Sequence, residues 1–130
     1  MHRTLLLILL LLVLAACDDG KSKIPYSDLP DTGDPVSGVN IFNTEVKGAA
    51  ACSACHPVSG EDTGSPSLFG YAARADERVQ GQDAREYTFW SIVEPGQHIV
   101  DGFGNAMYNE YDEKLTPQQI ADMIAYLLRL

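Results

Sequence analysis

Five consecutive residues carry most of the chemistry available to this chain: Cys52-Ser53-Ala54-Cys55-His56. Two thiols three positions apart can each close a thioether to one vinyl group of a single porphyrin. The adjacent imidazole then stands beneath the iron as an axial ligand, and C-x-x-C-H is the attachment signature of a c-type haem. Competing chemistries fit less well. A redox dithiol expects a βαβ setting around its C-x-x-C, and no such pattern surrounds this one. A zinc site needs a fourth ligand and usually a second Cys pair, whereas the chain has three Cys in all. The spacing therefore predicts one covalently attached haem c with its iron, on Cys52 and Cys55, with His56 as the first axial ligand.

Haem iron has a second axial position, and few residues can fill it. His2 lies at the extreme N-terminus. His98 follows Pro95-Gly96-Gln97 and reads either as a loop histidine or as a ligand. Met123 falls on an apolar helical stripe, where core packing is the ordinary job of a methionine. Met107 lies within Gly102-Phe103-Gly104-Asn105-Ala106-Met107-Tyr108, between helical stretches. A methionine in such a loop fills a gap or binds something, and a thioether on low-spin iron favours the ferrous state and raises the potential. The residue types favour Met107 and leave His98, a Lys side chain and an open position as alternatives.

The elements that must hold these residues begin after an export signal. Met1-His2-Arg3 is followed by an apolar run from Leu5 to Ala16, twelve residues long. That is too short to cross a bilayer comfortably, and a short basic start with small residues at its end reads as a secretory signal. Leu14-Ala15-Ala16-Cys17 resembles the bacterial lipobox, in which the Cys is acylated and becomes the first residue of the mature chain. An ordinary signal peptide or an uncleaved anchor are the alternatives. Asp18 and Asp19 resemble the signal that retains lipoproteins in an inner membrane. With Cys17 lipidated and Cys52 and Cys55 on haem, no thiol remains for a disulfide, although the exported side would permit one.

The expected organisation is thus a lipoprotein signal over 1–16, a lipid-anchored flexible tether over 17–34 and a folded domain over 35–130. The tether is rich in Asp, Gly, Ser and Pro without an apolar period, and as a random coil it spans about 20–25 Å. A domain this small has a thin core of its own, to which a buried porphyrin would add apolar surface.

Charge narrows the partners. The chain carries 9 Lys plus Arg against 18 Asp plus Glu, formally −9, and loss of Arg3 with the signal makes the mature chain −10. That sign excludes nucleic-acid binding and polybasic attachment to anionic lipid, so membrane attachment falls to the acyl chains. Most of the acids read as a solvated surface; some could face a basic docking surface on a redox partner.

The periodicity predicts an all-α domain. Asp34-Pro35 suits an N-cap followed by Pro at the first helical position, and Val39, Phe42 and Val46 extend a helix over 36–48. A turn-rich stretch follows the Cys pair, then a short helix over 71–79. Asp83 with Glu86 opens a helix over 84–93 that Pro95-Gly96 ends. Residues 95–115 read as one long aperiodic loop, and a loop of that length in a compact domain should have a function. Thr116-Pro117-Gln118-Gln119 is a capping box opening a final helix to about 130, with Ile120, Met123, Ile124 and Leu127 on one face. Tyr87 and Trp90 read as core aromatics or as donors to a haem propionate, the former favoured.

Taken in order, these pieces resemble the class I c-type cytochromes, particularly small bacterial monohaem forms, over about 36–130. Gly38-x-x-x-Phe42 precedes Cys52-x-x-Cys55-His56, followed by Gly64-x-Pro66-x-Leu68, Gly102-Phe103 with Met107, and Leu115-Thr116 leading to Ile124-Ala125-Tyr126-Leu127. The resemblance implies a cytochrome c fold, helices packed around one haem with a long axial-methionine loop. It also implies that Pro66 packs on the proximal side and its neighbourhood orients His56, that Met107 is the distal ligand, and that the terminal helices cross near Gly38, Phe42, Met123 and Tyr126. One departure is Tyr108, where the family usually has Pro directly after the axial Met.

The function expected is one-electron transfer by a monohaem c-type cytochrome, lipid-anchored on the extracytoplasmic face of a bacterial cytoplasmic membrane. It would serve as a carrier or as a subunit of a respiratory or photosynthetic chain, not as an enzyme in its own right. Partners would be a quinol-oxidising complex, a terminal oxidase or a photosynthetic reaction centre. The alternative is a haem sensor or small-ligand binder with a displaceable sixth ligand.

Overall fold

The computed structural model describes residues 22–130. Signal residues 1–16, Cys17, Asp18 and Asp19 lie outside the described residues. Among the described residues there are five α-helices and no strand: α1 (Pro35–Phe42), α2 (Tyr71–Ala75), α3 (Ala84–Val93), α4 (Tyr111–Lys114) and α5 (Pro117–Leu127). None is long and apolar enough to cross a membrane. The all-α expectation holds.

The frame is a crossing of α1 on α5. The Asp34 side chain caps α1 by accepting from the Val36 N–H, with Pro35 at the first helical position. The Ser37 hydroxyl and that N–H hold the Asp34 carboxyl below the usual carboxylate range. At the other end of the chain Thr116 and Gln119 form the full capping box that opens α5. The two helices meet at Gly38, where a Cβ would stand 2.1 Å from the Asp122 carbonyl oxygen and 2.8 Å from the Tyr126 Cβ. No side chain fits there, so the backbones touch. Below the crossing the Phe42 and Tyr126 rings pack tilted at 5.4 Å, and Met123 is buried beside them at 1% exposure. The polar cost of this closeness is met locally. The buried Asp122 carboxylate accepts the Asp34 N–H at 2.8 Å and the Gln118 amide at 2.9 Å.

Packed on this pair, α3 contributes Phe89, Ile92 and Val93 to a core that also holds Phe42, Ile120, Met123 and Ile124. Its start is capped by Asp83, which accepts from the Glu86 N–H. Boundaries differ from expectation in four places, one being α5, which ends at Leu127 and not near 130. α1 stops at Phe42 because the Asn43 amide and Thr44 hydroxyl bond back to the Val39 and Asn40 carbonyls, and a turn with Lys47 and Gly48 at positive φ follows. α2 stops at Ala75 rather than 79. The loop expected over 95–115 contains α4, one turn of helix.

The segment expected as a flexible tether through residue 34 is instead docked from Ser22 onward. Leu29 is buried, Tyr26 packs on Phe89 at 5.2 Å, and the Arg85 guanidinium bonds the Tyr26 hydroxyl and the Pro30 carbonyl. Lys23 pairs with Glu113 and its N–H bonds Asp112. Gly33 presses directly on the Ala121 backbone. Contacts from α3, α4 and α5 together hold a stretch whose composition alone suggests freedom.

Candidate haem site

Cys52, Ser53 and Ala54 form a single 3-10 turn between α1 and α2. The His56 N–H bonds the Cys52 carbonyl at 2.9 Å, continuing the turn. Both cysteines are free thiols, Cys52 half-buried and Cys55 exposed. Burial pushes the Cys52 thiol up, partly offset by its own backbone and the Tyr111 hydroxyl. The turn thus offers two unpaired sulfurs and an imidazole from one short stretch.

The imidazole is held by a bond that decides its tautomer. His56 Nδ1 lies 2.9 Å from the Pro66 carbonyl oxygen. A carbonyl can only accept, so Nδ1 carries the hydrogen and Nε2 keeps its lone pair, the arrangement of a ligating histidine fixed by an outer partner. Pro66 is in turn held in place. The Leu68 N–H bonds the Pro57 carbonyl at 2.8 Å. The Ser67 N–H bonds Asp62 at 2.7 Å and its hydroxyl donates to the Gly60 carbonyl at 3.1 Å. The Arg74 guanidinium, reaching back from α2, bonds the Ser67 and Phe69 carbonyls. Asp62, Ser67 and Arg74 were not singled out from sequence. Their roles come from side chains that turn back across a loop, which no periodicity encodes.

Met107 is half-buried and packs against the core beside Tyr108. Its loop is tied differently from the His56 side. Among the described residues, the hydrogen bonds made by residues 95–110 close within three positions along the chain, as in Phe103 to Val100, Ala106 to Gly104 and Tyr108 to Glu110. Tyr111 follows, 7% exposed, and its hydroxyl donates to the Ala50 carbonyl at 2.7 Å. Burial, and after it the nearby Cys52 thiol, pushes this hydroxyl up to about 12.

Met123 is core, as its stripe suggests. His98 packs edge-on to Tyr87 at 5.7 Å and lines a cavity of about 80 Å³ with Val79, Gln82, Trp90 and Gln97. Tyr87 is buried, and the Trp90 indole N–H is taken by Glu86 at 3.2 Å. Among the described residues no three His, Cys, Asp or Glu side chains gather as a metal cage. The donor set of the 52–56 turn, two thiols and an imidazole nitrogen with a free lone pair, fits a c-type haem.

Comparison with protein families matches residues 37–130 to the family described as Cytochrome c. No curated protein matches the chain.

Proposed function

The chain belongs to the cytochrome c family, whose members bind covalently attached haem c with iron and transfer electrons; on that premise we propose that it is a monohaem, class I-type carrier in which Cys52 and Cys55 hold the haem and His56 and Met107 face its iron. The haem, when bound, supplies an iron that cycles between ferric and ferrous. The protein's part is to hold it still and dry. Cys52 and Cys55 would fix it to the 3-10 turn by thioethers. His56 offers Nε2 because Nδ1 is committed to Pro66, and Pro66 stays put because Asp62, Ser67 and Arg74 hold the loop. Met107 would offer a soft sulfur from the 95–110 loop, which favours the ferrous state. With both positions filled, no site remains for a substrate, so the domain relays electrons without a reaction of its own.

The observation carrying this reading is the 2.9 Å contact of His56 Nδ1 with the Pro66 carbonyl, because it leaves the imidazole nitrogen that ligation requires. The test is extraction with acid–acetone followed by a redox titration with visible spectra. Haem should stay on the polypeptide, and one n = 1 transition should appear, with a weak charge-transfer band near the red edge in the ferric form. Freely extractable haem would refute attachment, and ready binding of carbon monoxide by the ferrous form would refute a filled sixth position and favour the sensor alternative.

The lipobox reading supports acylation at Cys17 and a place on the extracytoplasmic face of a bacterial membrane. Ser22, the first described residue, is already docked, and four residues lie between it and that Cys, a reach under about 20 Å when extended. So short a leash favours a fixed neighbour, such as a membrane oxidoreductase with a basic docking face, over long-range shuttling. Cys17→Ser should release or misprocess the protein; a wild-type protein found wholly in the soluble fraction would refute the anchor.

A further inference from the structure

The His56 side of the site is cross-tied by hydrogen bonds, whereas, among the described residues, 95–110 bond to near neighbours in sequence. Something else must hold the Met107 side chain. Directly after it, the Tyr108 ring packs edge-on against Tyr111 with centroids 5.0 Å apart and planes at 75°. Tyr111 is the first residue of α4 and is buried. Its hydroxyl spans 61 positions of sequence to the Ala50 carbonyl at 2.7 Å. Ala50 stands two residues before Cys52. The path therefore runs from the Met107 neighbour, through two rings and one hydrogen bond, to the segment that carries the attachment cysteines.

The geometry points to Tyr111, braced by Tyr108, as a positioning residue that ties the Met107 loop to the Cys52 segment. The inference rests on the reading of Met107 as the distal ligand. The physical reason is one of register. The two axial ligands come from elements with no direct hydrogen bond between their loops, yet their separation must match one iron. A part-buried hydroxyl–carbonyl bond between the two segments sets that separation, and an edge-to-face ring contact carries it to the residue beside the sulfur. A tyrosine merely filling core would not need its hydroxyl.

Imidazole binding to the ferric, haem-loaded protein reads the fraction of time Met107 is off the iron, because an exogenous ligand enters only then. Tyr111→Phe keeps the ring and removes the bond; it should raise imidazole affinity about five- to tenfold, the worth of one part-buried hydrogen bond, and weaken the red-edge charge-transfer band. Tyr108→Ala should raise it by a smaller factor, whereas Tyr108→Phe, which loses only an exposed contact to Glu110, should leave it unchanged. A Tyr111→Phe protein with wild-type imidazole affinity and band, whatever its melting temperature, would overturn the assignment, since a purely structural role moves only the latter. If Tyr111→Phe does not accumulate with haem, Tyr108→Ala decides, and wild-type imidazole affinity there overturns it. Met107→Ala separates the two readings. If its spectrum is unchanged, Met107 is not the ligand; if its band is lost while Tyr111→Phe is silent, the ligand stands and the positioning role falls.

Discussion

The two loops that carry the proposed axial ligands are built on opposite plans. Residues 56–74 are laced across themselves: His56 to Pro66, Leu68 to Pro57, Ser67 to Asp62 and Gly60, Arg74 to two carbonyls. Residues 95–110 make short local bonds and lean on packing through Met107, Tyr108 and Tyr111. A cross-tied loop opens only by breaking several bonds together, and a locally bonded one opens piecemeal. On the proposed ligation, the histidine side would fix the haem and the methionine side would be where ligation is adjustable.

The harshest way to break this contrast is to remove the haem that both loops would face. Cys52→Ser with Cys55→Ser should lose covalent haem altogether and most helical circular dichroism, because a domain this small depends on a staple. Cooperative native-like unfolding of that double variant would show that the loops stand without it.

Met107→Ala comes next. It should abolish the red-edge band and lower the midpoint potential by on the order of 100 mV or more, within the roughly 0.8 V that axial ligands span, while leaving the haem attached and the His56 side in place. An unchanged potential would move adjustability elsewhere in the molecule.

Arg74→Ala probes the cross-tied side. It removes charge-assisted bonds to the Ser67 and Phe69 carbonyls, about 1–2 kcal/mol, or a fall in melting temperature of about 4–10 °C for a domain of this size. Its potential should shift far less than that of Met107→Ala. A large shift in potential with no thermal cost would reverse the roles of the two loops.

His98→Ala should be the mildest. The ring lies edge-on to Tyr87 at the rim of a small cavity, so spectrum and potential should stay within error of wild type. A changed spectrum with a silent Met107→Ala would assign the distal ligand to His98.

What was legible beforehand follows the range of each interaction. α3 and α5 announce themselves through caps that lie within three residues of each other, Asp83 with Glu86 and Thr116 with Gln119. The link between His56 and the Pro66 neighbourhood is readable as motif and resemblance, and the Pro66 carbonyl lies 2.9 Å from His56 Nδ1. The early end of α1 was hidden because Asn43 and Thr44 cap by bonding backward to carbonyls, which their positions after Phe42 do not advertise. The docked stretch 22–34 was hidden because Tyr26 and Arg85, 59 positions apart, find each other only in the fold. Arg74 and Tyr111 share that opacity: each is a long side chain crossing to another segment, outside any helical or strand period.

The backbone contact at Gly38 bears on how the chain comes together in time. Asp34 and Asp122, partners across that junction, are 88 residues apart. Bringing them together closes nearly the whole domain into one loop, an entropic cost met before the contact is made, and pairings of such high sequence separation slow folding. The crossing also requires α5, which is made last. A nascent chain thus has Cys52 and Cys55 in place well before its frame can close, which on the proposed attachment would leave a window in which haem can be joined to an open polypeptide. Deleting α5 should leave that early chemistry possible and the finished domain unattainable.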